Sequence, residues 1–485
     1  MLDAVVVGSG PNGLAAAATI ARAGRSVLVI EAADEVGGGT RSHLAAEWGT
    51  LHDDCSAVHP LGVSSPLMRS LPLHRHGLEW LNGEVGVAHP LSDGRAGVIL
   101  DDLDDTIAAM SVDGGARSDA EAWRGAFGWM AGRFDDLAAD LMGPILHLPR
   151  HPLSLARFAP GALGSVQRFA RRFATEGVRA LYAGAAAHAM RPLDSPASAA
   201  PGLILVAAGH RGGWPVARGG SQSIADALAG VVEESGGEIR TGENVTDLRD
   251  LPPSRVVLLD VAPRAALGIV GEAQVPGRVA RGFRRWKHGP AAHKVDLVVR
   301  GPIPWADEHS PRALTVHCGG TFEEIAAAER AVHHGRMPER PFVLVAQQYL
   351  VDPSRSNGDH HPVWAYAHVP RGYTGDATEA LLGQIERFAP GFRDVVVSAD
   401  ERGPADLEQH NPNYIGGDIA TGANSAQQLV FRPRPALDPY RITPNVFLCS
   451  AATPPGAGVH GMCGWYAARS ALRVLDQRSC QVLPD

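Results

Sequence analysis

The chain has 485 residues, 45% of them hydrophobic, and a formal net charge of −8 at pH 7. This length exceeds what one hydrophobic core supports and indicates two or three folding units. The negative charge and the lack of a long basic run argue against a nucleic-acid partner. No stretch approaches the ~18 uninterrupted apolar residues of a membrane-spanning helix, and the predicted fold begins at residue 3. We therefore expect a soluble, cytoplasmic protein without a cleaved leader.

The five cysteines are scattered along the chain, and no two of them form a C-x-x-C pair. An odd number of unpaired cysteines is typical of a reduced, intracellular protein. Disulfide-exchange chemistry needs a pair of redox-active thiols, so the cysteine pattern argues against it.

The first predicted elements are a strand over residues 4–7, a glycine-rich turn and an alanine-rich helix over residues 14–23. Gly8, Gly10 and Gly13 have the G-x-G-x-x-G spacing. In a dinucleotide site, these glycines permit the tight turn, the approach of a pyrophosphate and the close packing of helix on strand. The free N–H groups and the dipole at the helix N-terminus favour the phosphates.

A second predicted strand, over residues 26–30, ends in Glu31, at the position where a carboxylate binds a ribose diol. Three further glycines, residues 37–39, precede Thr40 and Arg41, and a nicotinamide site has no need of a second glycine turn here. This pattern resembles the FAD-binding oxidoreductases of the two-dinucleotide-binding-domain type. The resemblance implies FAD as the cofactor, held here by Gly8, Ser9, Gly10, Pro11, Asn12, Gly13, Glu31, Ala32, Gly38, Gly39, Thr40 and Arg41.

A polar passage follows the predicted flavin cradle and contains His52, Asp53, Asp54 and His59. These side chains are metal ligands by type, but their spacing fits no standard site, so no metal is expected. Their place after the cradle makes His52 and Asp53 active-site candidates.

Residues 115–200 form a predicted helical unit with an apolar face and a basic face that carries Arg168, Arg171 and Arg172. One interpretation is that the apolar face packs in the hydrophobic core and the basic face is solvated. The alternative is a lid over an apolar substrate channel that touches a membrane surface.

The next segments predict a return to the dinucleotide-binding sheet and then a strand-rich unit. Helix 222–235 and strands 238–248 and 256–260 belong to the returning part, where the resemblance places Val245 at the adenine end of FAD. Alternating β-branched and aromatic residues predict strands between 283 and 425. Tyr414 lies in a polar, glycine-containing loop near the end of this unit and is a candidate acid or base.

The C-terminal signal is a strand over residues 446–449, a proline- and glycine-rich loop, and a helix from Met462. The loop contains T-x-P-G-A-G over residues 453–458, which resembles the C-terminal motif of the phytoene-desaturase type. In that family the loop faces the flavin ring, where N–H groups and the helix dipole stabilise reduced flavin. The resemblance implies cofactor contacts at Ala452, Val459, His460, Gly461 and Met462, and His460 is a second acid–base candidate.

The whole chain is similar to the phytoene-desaturase-like FAD-dependent oxidoreductases, in the branch of pyridine nucleotide-disulfide oxidoreductase domain-containing protein 2. The expected fold is α/β, with a discontinuous Rossmann-like FAD-binding domain and a mixed α+β substrate domain with a helical lid unit. The FAD-binding parts are predicted at 1–110, 206–282 and 426–485, the helical unit at 111–205 and the strand-rich substrate domain at 283–425.

The resemblance implies hydride transfer between flavin and an apolar, polyene or lipid-like substrate, as a dehydrogenase, desaturase or isomerase. No second complete G-x-G-x-x-G unit is found, so oxygen or a quinone is a more plausible electron acceptor than NAD(P)H. Two alternatives stay open. One is a flavin amine oxidase, and the other is a non-catalytic prenyl- or lipid-binding protein of the Rab GDP-dissociation-inhibitor type.

Overall fold

The computed structural model describes residues 1–112 and 117–479. Its strands are β1 (Leu2–Val7), β2 (Val27–Ile30), β3 (Ser42–Ala45), β4 (Thr50–Asp53), β5 (Trp80–Leu81), β6 (Val85–Pro90), β7 (Ala96–Leu100), β8 (Val216–Ala217), β9 (Glu238–Arg240), β10 (Ser254–Leu259), β11 (Ala291–Arg300), β12 (Ala313–Cys318), β13 (Val343–Ala346), β14 (His360–Val369), β15 (Val396–Arg402) and β16 (Val446–Leu448).

The α-helices alternate with these strands and also form a cluster of their own in the first half of the chain. They are α1 (Pro11–Arg22), α2 (Pro60–Val63), α3 (Pro66–Ser70), α4 (Leu103–Val112), α5 (Arg117–Trp123), α6 (Trp129–Gly132), α7 (Phe134–Leu141), α8 (Pro152–Ala162), α9 (Val166–Ala170), α10 (Glu176–Ala187), α11 (Ala199–Gly212), α12 (Gln222–Glu234), α13 (Pro263–Val270), α14 (Gly277–Arg284), α15 (Phe322–His333), α16 (Thr378–Phe388), α17 (Phe392–Val395), α18 (Pro404–His410), α19 (Ala426–Val430) and α20 (Met462–Ser479).

Five parallel strands form the dinucleotide-binding sheet, in the order β16-β10-β1-β2-β9. The strands are short apolar runs because both faces of the sheet are covered. Helices α1, α12 and α20 pack on one face, and α13 and α14 pack on the other. The predicted strand 238–248 ends at Arg240, since Gly242 turns the chain with a φ of +73°.

Seven strands form the second sheet, in the order β15-β11-β14-β13-β12-β6-β7. Strands β6 and β7 come from residues 85–100, which the sequence analysis assigned to the first FAD-binding part. That boundary is wrong, because β6 pairs in parallel with β12 and extends the substrate sheet. The alternation of apolar residues in β6 is compatible with either sheet, and only the long-range pairing decides between them.

Helices α5 to α11 form the helical unit, which covers the second sheet and contacts the cavity described below. Helix α8 packs on α11, and α10 packs on β6, β7 and α15. Within residues 1–112 and 117–479, every helix is too short or too polar to cross a bilayer.

The two ends of the described chain meet in the dinucleotide-binding domain. Helix α20 packs along α1, and a Cβ on Gly464 would lie 1.8 Å from the carbonyl oxygen of Asn12. Gly461 also packs against α1, since its Cβ would lie 2.9 Å from that of Ala15. The expectation that both ends of the chain build one site therefore agrees with the observed packing.

Candidate active site

One cavity of about 1040 Å³ lies between the carboxyl ends of the parallel strands, the second sheet and the helical unit. At one end it is lined by the loops after β1, β2, β9 and β10, and at the other by residues of β13, β14, α7, α8 and α11. Ligands of open α/β sheets bind at the carboxyl ends of the strands. We call the first region the nucleotide end and the second the substrate end.

The first glycine loop forms a narrow cradle at the start of α1. Gly8 has a φ of +96°, which an L-residue rarely adopts. A Cβ on Gly13 would lie 2.1 Å from the carbonyl oxygen of Gly8, so a side chain there would force the helix away from the strand. Gly10 precedes the helix as its N-cap, and Pro11 occupies the first turn. The helix N-terminus therefore opens towards the cavity.

Glu31 is fixed at the end of β2 by groups of the cradle itself. Its Oε2 accepts hydrogen bonds from the backbone N–H and the hydroxyl of Ser9, at 2.7 and 2.6 Å, and its Oε1 accepts from Ala33 N at 2.9 Å. The carboxylate lines the cavity beside Glu243 and Val245. Both carboxylate oxygens are therefore fixed at the nucleotide end, at the position where an acid of this motif binds a ribose diol in dinucleotide sites.

The second glycine loop packs against the first. Gly37 N donates to Ser9 O at 3.0 Å, and a Cβ on Gly39 would lie only 1.9 Å from the hydroxyl of Tyr414. The guanidinium of Arg41 donates hydrogen bonds to the carbonyl oxygens of Gly38 and His410. It therefore connects the second glycine loop to the substrate domain.

Asp260 is an unexpected acid inside the cradle. It follows β10, and its Oδ2 accepts a hydrogen bond of 2.9 Å from the backbone N–H of Gly13. Burial, with a further contribution from the charge of Glu31, raises the pKa of Asp260 to about 7. The sequence pattern predicts Asp260 only as the last residue of a strand, because its contact with the N-terminal glycines spans 247 residues.

The loop between β16 and α20 forms one wall of the cavity through Val459 and His460. The ring of His460 accepts the N–H of Met462 at its Nδ1, at 3.1 Å, and its backbone oxygen accepts from Ser65 Oγ at 2.7 Å. Burial lowers the pKa of His460 to about 4, so the ring is neutral at pH 7. Burial also raises the pKa of Tyr414 well above its usual value, so this phenol keeps its proton.

Arg432 places a buried guanidinium beside the same loop. The side chain is 1% exposed and lines the cavity, and its Nη1 donates to Pro455 O at 3.3 Å. Its Nε and Nη2 have no hydrogen-bond partner among the described residues. Buried donors of this kind are rarely left without an acceptor, so they point to a ligand that supplies one.

The substrate end is apolar and aromatic. Trp364 and Tyr366 lie on the same face of β14 with ring centroids 5.1 Å apart and planes at 78°. The helical unit adds a set of apolar side chains, namely Leu141, Met142, Ile145, Phe158, Ile204 and Leu205.

The carboxylates that line the cavity in the described part of the chain are Glu31, Glu243 and Asp260, and all three belong to the nucleotide end. At the substrate end, His188 is neutral at pH 7 because burial lowers its pKa to about 3. A cationic substrate would therefore lose its hydration there without gaining a counter-ion.

Most of the residues predicted to bind the cofactor or to act as acid or base line the cavity, and five of them lie behind its wall. Those that line it are Gly8, Gly10, Pro11, Asn12, Glu31, Ala32, Gly38, Gly39, Thr40, Arg41, Val245, Tyr414, Val459 and His460. Ser9 and Gly13 instead bind Glu31 and Asp260. Ala452, Gly461 and Met462 pack in the core or against α1 and neighbouring side chains.

The candidates His52 and Asp53 lie outside the cavity wall in a buried ionic network. Asp53 pairs with the guanidinium of Arg355 at 2.7 Å, and both side chains are fully buried. The ring of His52 is bonded to Thr50 and lies 3.5 Å from Asp296. Both residues therefore connect the two domains structurally.

The comparisons with known proteins agree with this geometry. The model of the NAD(P)-binding Rossmann-like domain family matches residues 6–71. The chain is 24% identical to the pyridine nucleotide-disulfide oxidoreductase domain-containing protein 2 of Mus musculus, over 98% of this chain and 94% of the mouse protein. It is 26% identical to the phytoene dehydrogenase of Streptomyces griseus, over 94% of this chain and 92% of that enzyme. The predicted resemblance to phytoene-desaturase-like oxidoreductases is confirmed.

Solved structures support the fold. An oxidoreductase from Methanosarcina mazei matches with a TM-score of 0.62 at 15% identity, over 97% of this chain and 100% of that one. Putrescine oxidase with bound putrescine matches with a TM-score of 0.60 at 17% identity, over 98% and 99%. The predicted fold class is confirmed. The prediction of an oxidoreductase agrees with the names of the curated relatives.

Proposed function

We propose that the cavity binds FAD across its full length and that the protein oxidises or isomerises an apolar, polyene or lipid-like substrate. The observation that carries this proposal is the single cavity that joins a glycine-lined dinucleotide cradle to an apolar chamber. The cradle fits a dinucleotide, because both glycine loops exclude side chains and Glu31 is fixed beside them. The two free donors of Arg432 fit a group with buried acceptor atoms.

When bound, FAD supplies the capacity to accept a hydride from a C–H bond. The chain's own residues orient the substrate and keep water out. Trp364 and Tyr366 offer a flat apolar wall, and the side chains of α7, α8 and α11 surround the remainder of the chamber. The donors of Arg432 and the start of α20 lie where they favour negative charge near the β16–α20 loop.

The roles of His460 and Tyr414 as acid or base stay predictions. The neutral His460 ring is already used to bind Met462 N, which favours a role in shaping the loop. Tyr414 retains its proton over the physiological range. Removal of a hydride from a polyene requires no strong protein base, and this is compatible with both side chains.

Amine oxidation is the second candidate, because the fold is similar to that of putrescine oxidase. The substrate end argues against it for this chain, since its lining carries no carboxylate among the described residues. Trp364 and Tyr366 also touch edge to face, which leaves no gap between their rings for an amine.

The test is to purify the protein, record its flavin absorbance and mix it anaerobically with representative polyenes, unsaturated lipids and primary amines. We expect a yellow protein whose flavin is bleached by an apolar substrate and not by amines. Bleaching by amines alone would replace the proposal with amine oxidation. A colourless protein that cannot be reconstituted with FAD would favour the non-catalytic lipid-binding alternative.

A further inference from the structure

The exposed face of α8 carries apolar residues where a soluble helix normally carries polar ones. Leu153 and Leu163 are 86% and 70% exposed, and Leu148, just before the helix, is 92% exposed. Ala156 and Pro160 are exposed between them. We call these five residues the docking patch.

The spacing of the docking patch places four of its members on one side of the helix. At about 100° per residue, positions 153, 156, 160 and 163 fall within a sector of roughly 80°. The opposite side is already used, since Phe158 and Ala162 are buried and α8 packs on α11. The patch is therefore an additional apolar face and not a core face exposed by chance.

The docking patch is continuous with the mouth of the cavity. Ile145 lines the cavity and is also 39% exposed, so it lies on the rim. Phe158 lines the cavity from the inner side of α8. One short helix thus separates the apolar chamber from the apolar surface.

The charge of this segment is opposite to that of the whole chain. Residues 141–175 contain five arginines and neither Asp nor Glu, although the net charge of the chain is −8. Arg150, Arg157, Arg168 and Arg171 are exposed, and none of them takes part in a salt bridge among the described residues. The neighbouring carboxylate of Asp140 is buried and binds the backbone N–H groups of Arg150 and His151.

We propose that α8 docks on an anionic lipid surface, with the docking patch in the interfacial region and the arginines at the headgroups. Leucines on one helix face with arginines beside them are the composition of interfacial helices. Each arginine near an anionic bilayer adds attraction that salt screens. In this orientation the cavity mouth faces the membrane, so an apolar substrate passes between bilayer and chamber without crossing water.

The test is co-sedimentation of the full-length protein with vesicles of phosphatidylcholine alone and of phosphatidylcholine with phosphatidylglycerol. We expect binding to the anionic vesicles that weakens as NaCl is raised. The double variant Leu153→Asp/Leu163→Asp should lower the affinity at least about tenfold, since it removes two exposed leucines from the interface. Arg157→Gln/Arg171→Gln should remove most of the preference for anionic vesicles.

The matched control is Leu44→Asp, which changes a leucine that is 61% exposed on β3 and should leave binding unchanged. Absence of vesicle binding by the unmodified protein, or equal binding by the Leu153→Asp/Leu163→Asp variant, would overturn the proposal. A dimer that this variant converts to monomer would assign the patch to a second copy instead. Flavin content is recorded for every sample. Vesicle binding by colourless protein would contradict the proposed function and still support the docking patch.

Discussion

The carboxyl group of Asp260 and the phosphates of a bound dinucleotide would both lie at the N-terminus of α1, the positive end of its dipole. The carboxyl group is bonded to Gly13 N at the start of α1, and the titratable groups that interact with it are Glu31, Cys449 and Cys463. Burial and the charge of Glu31 raise its pKa to about 7, and a diphosphate would raise it further. The cradle should therefore hold FAD most tightly when Asp260 is protonated.

This coupling gives a pH dependence with a defined sign. Below pH 7 Asp260 is already neutral, and FAD binding takes up no proton. Above pH 7 binding requires a proton, so the affinity should fall by up to about tenfold per pH unit. Asp260→Asn keeps the acceptor for Gly13 N and should flatten the profile. Fluorescence titration of FAD between pH 6 and 9, in roughly half-unit steps, measures both proteins, and equal slopes would refute the coupling.

Glu31 offers a second test at the scale of one residue. Its carboxylate holds Ser9 and faces the nucleotide end, so Glu31→Ala should weaken FAD binding by roughly tenfold or more while the protein stays soluble. The measurement is the FAD dissociation constant of the reconstituted protein. Glu243→Ala, at a neighbouring position of the lining, is the comparison, and an unchanged affinity in Glu31→Ala would show that the ribose contact is misassigned.

Local sequence patterns identified the site residues whose positions depend on neighbouring residues in the sequence. They missed the site residues whose positions depend on contacts with distant segments. The glycine spacing and Glu31 lie within one βαβ unit, so the sequence predicted them directly. Asp260, Arg432 and the Trp364–Tyr366 pair reach the cavity only through packing across hundreds of residues. The alternation around residue 364 predicted a strand, but not the surface that its aromatic face would meet.

At the scale of elements, the contact between α1 and α20 depends on a glycine. A Cβ on Gly464 would overlap the carbonyl oxygen of Asn12, which belongs to the cradle. Gly464→Ala should destabilise the fold by about 1–3 kcal/mol and weaken FAD binding, because α1 must move. Gly132→Ala, at an exposed helical glycine with open space around it, is the control. Thermal unfolding and FAD titration of both variants provide the measurement, and matching values would contradict the prediction.

The helices and strands with a strong hydrophobic periodicity were predicted well. Segments whose structure depends on which strand they pair with were predicted less well. The predicted helix 222–235 and the predicted start of the C-terminal helix at Met462 agree with the structure. The predicted strand 238–248 is mostly loop, since its second half wraps the nucleotide end. Strand β6 belongs to the second sheet because β12 is its parallel partner, which no local pattern reveals, and β7 follows as the antiparallel partner of β6.

At the scale of the molecule, one cavity is bounded by both sheets and the helical unit, so its ligand should hold these parts together. FAD added to apoprotein at about 100 times its Kd should raise the free energy of unfolding by about 2.7 kcal/mol. Calorimetry of the protein with and without FAD measures this shift. A melting temperature that does not respond to FAD would show that the cofactor contacts only a part that unfolds separately.

The strand order of the parallel sheet also constrains how the protein is made. Strand β1 lies between β2 and β10, and β10 pairs with β16 at residues 446–448. During synthesis β1 therefore has an unpaired, apolar edge until β10 emerges more than two hundred residues after β2, and β10 then lacks its second partner until β16 follows. Such edges invite aggregation, and sheets closed by distant segments form slowly. Cofactor loading must then follow translation, and production in a heterologous host should depend on chaperones that shield the nascent chain.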